Sequence, residues 1–132
     1  IIDKVELIGE QGQNTNTFRT SEKMTIRIHY HAKSATEYVV CGIGLFTIDN
    51  ISVYGTNTEL DYQQIELNKR GIIYCEIPKL ELVPGEYKLD AALHREDGFA
   101  YDYWKEARTF RVYSDQREVG IAHLSHSWTV KQ

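Results

Sequence analysis

"LELVPGEYKLDAAL", residues 80–93, is the stretch on which the fold turns. Leu80 and Leu82 lead into Pro84-Gly85, a dipeptide that makes a turn. Tyr87, Leu89, Ala91 and Leu93 then recur at every second position, the period of a strand with one buried face. Tyr87 opens that strand on the inward phase. From there its ring can bury while its hydroxyl bonds back to the backbone across the corner, as in the tyrosine corner of immunoglobulin-like sandwiches.

The same period runs outward in both directions. "MTIRIHYH" sets Met24, Ile26, Ile28 and Tyr30 against Thr25, Arg27, His29 and His31. "GIIYCEI" turns Ile73, Cys75 and Ile77 one way, and "ARTFRVY" does so with Phe110 and Val112. "YVVCGIGLFTID" is apolar on both phases, as a central strand covered on both faces would be. "ISVYGT" reads as a short strand after Asp49-Asn50. Turn residues break these runs at intervals near ten, which predicts an all-β chain, and a sandwich in preference to a barrel. "TELDYQQIEL" is the one place where a turn of helix is expected. After Val112 a polar connector leads to "GIAHLSHSWTV", the expected last strand at about 119–130, which either closes its own sandwich or crosses to a second copy.

At 132 residues the chain fits one domain, taken as 1–132. It does not begin with Met and starts inside "IIDKVEL", which suggests a domain of a longer polypeptide. No apolar run nears the roughly 20 residues of a bilayer-spanning helix. The net charge is −4 and the basic residues are scattered, which argues against nucleic acid or a membrane surface as partner. Cys41 and Cys75 sit in apolar strand-like runs and read as buried free thiols rather than a disulfide framework.

Catalytic motifs are missing. There is no Walker loop, no G-x-S-x-G and no H-E-x-x-H. His29 and His31 share one strand face at a spacing that could seat a metal, and His123 and His126 lie three apart. No carboxylate or cysteine is evidently convergent with either pair, so solvated or interfacial histidines are the favoured reading, with no metal, no cofactor and no catalytic residue assigned.

The surface is more informative. If the odd-numbered residues of 87–93 face the core, then Lys88, Asp90, Ala92 and His94 look outward. On the neighbouring run Val40, Gly42, Gly44 and Phe46 then look outward too. Gly42, Gly44 and Ala92 make a bare floor, walled by Asp90, His94, Phe46 and the rings of "DGFAYDYWKE", residues 97–106. A saccharide suits such a place, since its C–H faces pack on rings and its hydroxyls need oriented polar groups. Phe99 is expected to cap the hairpin tip, with at least two of Tyr101, Tyr103 and Trp104 exposed. The candidate carbohydrate contacts are Phe46, Asp90, His94, Tyr101, Tyr103 and Trp104. A one-residue slip in register would reverse every side.

"FRTSEKMTIRIHY", "GIGLFTIDNISVYGTNT", "IPKLELVPGEYKLDAAL" and "FRVYSDQREVGIAHLSHSW" together resemble the C-terminal domain of Wzt, the nucleotide-binding subunit of bacterial ABC transporters that export O-antigen polysaccharide. The most specific pieces are Gly44 to Thr58, the L-x-P-G-x-Y corner, and Gly120 to Trp128. The resemblance implies an immunoglobulin-like antiparallel sandwich that forms a homodimer by exchanging its last strand. It implies a non-catalytic module for the modified end of the polysaccharide, coupling chain completion to export, with ATP hydrolysis in an N-terminal domain of the same polypeptide. It implies a cytoplasmic place at the inner face of the membrane. Gly55 and Thr56 would shape a strand exit, and Trp128 would belong to the exchanged strand. No sugar-contacting residue carries over. The rival reading is a protein-interaction or dimerisation domain whose rings lie in a subunit contact.

Overall fold

Alternation of side chains becomes nine strands among the described residues, which in the computed structural model are 1–32, 37–63, 65–67, 69–95 and 100–131. They are β1 (Ile2–Ile8), β2 (Thr17–Arg19), β3 (Met24–His31), β4 (Glu37–Thr47), β5 (Ser52–Asn57), β6 (Ile65–Leu67), β7 (Arg70–Ile77), β8 (Gly85–Arg95) and β9 (Ala100–Tyr113). One sheet has the order β1-β3-β7. The other has the order β2-β9-β8-β4-β5, with β6 also pairing β4. The pairs are antiparallel except β2 with β9, which run parallel. The two sheets form an immunoglobulin-like sandwich.

The core lies where the period of two predicts it. Met24, Ile26, Ile28 and Tyr30 of β3 meet Leu89, Ala91 and Leu93 of β8 and Cys41, Ile43 and Leu45 of β4 in one buried cluster. Each fully buried aliphatic side chain there contributes about 1.5–3 kcal/mol. At the corner the Tyr87 hydroxyl donates to the Val83 carbonyl at 2.6 Å. The Tyr87 ring stacks on Phe110 with centroids 5.6 Å apart, and Phe110 meets Phe18 edge-on. Cys41 and Cys75 are free thiols, and burial pushes Cys41 up to about 12.

Three further expectations meet the structure. "TELDYQQIEL" holds no helix among the described residues. It is a sequence of tight turns over 57–63 leading to the short β6. The segment 119–131 is not a strand in the protomer. Among the described residues its ladder-like contact is the bridge of Ala122 with Leu82, flanked by Val83 N–H to Ile121 O and His123 N–H to Glu81 O. Carboxylates do converge on the histidines: His29 lies 2.5 Å from Glu6, His31 2.6 Å from Asp3, and His123 2.6 Å from Glu118. Each is a pairwise contact, and no cluster of three or more metal-ligating groups occurs among the described residues. The Asp97-Gly98 turn and the Phe99 cap lie outside the described residues.

Candidate functional site

The outer face of the larger sheet carries a trough of about 280 Å³. Its position follows from register. β4 pairs β8 with Gly42 opposite Ala92 and Gly44 opposite Asp90, while β5 brings Asn57 beside Gly42 and Gly55 beside Gly44. Directly opposed residues point to the same side of a sheet, so three glycines and an alanine share one low patch, on which the Phe46 ring rests over Gly44. Tyr103 of β9, opposite Ala92, forms a wall, and Leu60 on the turn after β5 also lines the trough.

Asp90 is on the predicted face but is not free. It is 6 % exposed. Its Oδ2 accepts from the Tyr103 hydroxyl at 2.6 Å and its Oδ1 from the Glu106 N–H at 2.8 Å. The reason is a bulge in β9. Leu89 pairs with Arg108 but Ala91 with Trp104, so one residue of β8 faces three of β9. Glu106 sits in that bulge at φ 53°, and the Asp90 carboxylate fills the gap in the ladder. Lys88, also expected to be free, is buried too, donating to Glu106 Oε1 at 3.0 Å and to Asn50 Oδ1. The bond to Asp90 is the main reason that the Tyr103 phenol lies above the usual tyrosine range; burial and the Asp90 charge add to it.

The other candidates divide. Tyr103 is 57 % exposed and lines the trough. Trp104, its neighbour in the strand, must point to the opposite face; it is half-buried against the core, which removes it from the site. His94 lines the trough, and its Nε2 is sealed from solvent with no hydrogen-bond partner among the described residues. Such an atom costs about 1–3 kcal/mol until something pairs with it. Phe46 borders the trough rather than lining it, its ring 3.4 Å from where a Cβ on Gly44 would stand. The Tyr101 side chain lies outside what the structure describes, so the expectation of two exposed rings rests on Tyr103 alone.

Sequence reasoning missed Gly55, Thr56, Asn57 and Leu60 as lining residues. A signal existed for the first three: counting back from the Asp49-Asn50 turn sets "GTN" against "GIG". The pairs next to the turn are offset by one from that count, and a bulge between Leu45 and Phe46 restores it, which only coordinates reveal.

A second, larger hollow of about 580 Å³ opens between the sheets beside β5 and the β7–β8 connection, lined by Val53, Tyr54, Ile77, Leu80 and Leu82. Ile121 and Ala122 of the C-terminal tail sit at its rim. Beyond them Leu124, Trp128 and Val130 are exposed, Trp128 to 90 %.

Residues 1–124 match the family model described as the Wzt C-terminal domain. Among solved structures, the chain is similar to a crystal structure of the C-terminal domain of Wzt. That match has a TM-score of 0.87 at 17 % identity, covering 99 % of this chain and 83 % of the other. A CARDB domain from Pyrococcus furiosus, solved in complex with di-metal ions, gives a TM-score of 0.43 at 11 % identity, covering 86 % of this chain and 88 % of the other. No curated protein matches in sequence.

Proposed function

This chain belongs to the Wzt C-terminal domain family, and from that premise we propose that it binds, without catalysis, the terminal part of an O-antigen polysaccharide. The observation that carries the reading is the trough floored by Gly42, Gly44, Gly55 and Ala92 with Tyr103 as its wall. Bare backbone lets a sugar ring lie flat against the sheet. Tyr103 offers a ring face for its C–H groups, and the Asn57 and His94 side chains and the Thr56 carbonyl border the floor with polar groups. Asp90 acts one step back: it fixes the Tyr103 hydroxyl, and so the orientation of that ring.

In this reading the domain reports chain completion to an ABC transporter whose nucleotide-binding domain precedes it in the same polypeptide, on the cytoplasmic side. A single shallow sugar site reaches roughly the millimolar to micromolar range. That strength suits a module that must release its cargo.

The test is titration with O-polysaccharide carrying its native terminal group. Binding lost in Tyr103→Ala, with the fold intact by circular dichroism, supports the trough. Equal affinity for chains stripped of the terminal group defeats terminal recognition.

A second reading is favoured by the tail. Leu124, Trp128 and Val130 lie open to solvent while the apolar hollow beside Leu80 and Leu82 stands partly empty. Exchange of the tail between two copies would cover both, and makes dimerisation a property of this domain with or without a glycan.

A further inference from the structure

We propose that the turn after β5 forms an outer subsite, in which Tyr62 stacks on the sugar unit next to the one held in the trough. The inference rests on the glycan reading above and extends it from one sugar to at least two.

Tyr62 is 97 % exposed, and its backbone stands at φ 56°. A bulky residue rarely adopts that left-handed conformation, and a small or Asn residue would hold it at lower cost. The turn does not leave Tyr62 there by looseness. Leu60 N–H donates to Asn57 Oδ1 at 2.8 Å, Tyr62 N–H to Glu59 O at 3.0 Å, and Gln63 N–H to Thr58 O at 2.8 Å. Thr58 is itself tied to Cys41, through its N–H at 2.9 Å and its hydroxyl at 3.1 Å. A ring fully in water on a braced, strained turn is presented to something.

The turn is continuous with the trough. Asn57 both lines the trough and caps the turn, and Leu60, two residues before Tyr62, lines the trough as well. A polymer leaving the floor between Gly42 and Gly55 toward this side meets Leu60, and Tyr62 follows two residues on in the same turn. The occupant fitted to that path is the next saccharide unit of the same chain, because ring faces accept sugar C–H faces without demanding a particular hydroxyl pattern.

Tyr62→Asn in the full 132-residue chain tests this, since Asn tolerates the left-handed backbone. The probes are the O-polysaccharide of the source strain and the shortest terminal fragment of it that the wild type retains. The expected result is unchanged or higher thermal stability, about fivefold weaker binding of the polysaccharide, and unchanged binding of the fragment. Undiminished polysaccharide binding, or an equal loss on both probes, overturns the outer subsite while leaving the trough. Loss of a dimer on light scattering in Tyr62→Asn assigns the ring to a subunit contact and also overturns it. A wild type that binds neither probe overturns the glycan reading itself.

Discussion

At the scale of single residues, Asp90 separates phase from availability. The period of two in "GEYKLDAALH" places it on the outer face, and there it is. What no periodicity reveals is the three-for-one bulge opposite it, which turns a free carboxylate into the anchor of Glu106 and Tyr103. Asp90→Ala leaves the Glu106 N–H and the Tyr103 hydroxyl without their acceptor. The expected loss is about 2–3 kcal/mol, seen as a lower Tm, with a smaller loss in Asp90→Asn, which keeps one acceptor oxygen. The bond to Asp90 also raises the Tyr103 pKa above its unfolded value of 10.0. Its stabilising effect is therefore complete below about pH 10 and is lost as pH rises through the raised folded value. Denaturant melts of wild type and Tyr103→Phe should converge above that range. A gap that persists unchanged at alkaline pH would contradict the bond. Tyr103 and Trp104 teach the converse lesson. Adjacent residues of a regular strand cannot share a face, so the sequence already held the information that only one of these rings could wall the trough.

At the scale of elements, the trough is a product of pairing. β4 contributes Gly42 and Gly44, β5 Gly55 and Asn57, β8 Ala92, and none of these strands alone makes a site. The β8 run was legible because it buries one phase in the shared core, whereas β4, apolar on both phases and expected to be covered on both faces, leaves Gly42 and Gly44 half-buried on the trough floor. The β4–β5 partnership was legible as a hairpin but not in its shifted register. β1, with four residues in succession buried, hides its alternation, and the three-residue β2 is too short to show one. Gly42 gives the sharpest test at this scale. A Cβ there would lie 3.5 Å from the Asn57 Cβ and 3.6 Å from the Thr56 carbonyl oxygen, ordinary contact distances. Gly42→Ala should therefore fold with unchanged or slightly higher stability, a strand glycine being a weakness of roughly 0.5–1 kcal/mol. Its methyl stands on the floor where the sugar ring is proposed to lie. Binding of the O-polysaccharide should fall about tenfold, the effect of a misfit worth about 1.4 kcal/mol. Titration of the variant beside the wild type reads this directly, and undiminished affinity would move the ligand off this floor. Tyr87→Phe is the matched control at the corner. It removes the bond to Val83, lowers stability by about 1 kcal/mol and leaves binding untouched, since the corner lies in the core and not in the trough.

At the scale of the whole molecule, the C-terminal tail is where this chain departs from a closed sandwich. Gly120 stands at φ 98°, a conformation glycine takes without strain, and Glu118 pairs with His123 across it at 2.6 Å. That loop brings Ile121–His123 onto Glu81–Val83 and then releases the chain outward. Sequence periodicity marks "GIAHLSHSWTV" as a strand because its apolar pattern is that of one; among the described residues it joins no ladder beyond Ala122. Leu124, Trp128 and Val130 in water forgo about 1.5–3 kcal/mol each. A hollow of about 580 Å³ lined by Val53, Tyr54, Leu80 and Leu82 lies at the tail's root. The tail meets its own hollow only through Ile121 and Ala122, and its outer apolar residues can cover that of a second copy, where two-fold symmetry then satisfies both. Truncation after Ser125 keeps the Leu82–Ala122 bridge and removes Trp128 and Val130. The expected outcome is a monomer by light scattering that keeps the affinity of a single site for a short terminal fragment. Its apparent affinity for a surface densely coated with polysaccharide should drop, because two linked sites gain avidity only when both engage. A truncated chain that remains dimeric would place the subunit contact elsewhere on the sandwich. Dimer loss together with loss of the single-site affinity would instead mean that the exchanged tail helps to build the trough.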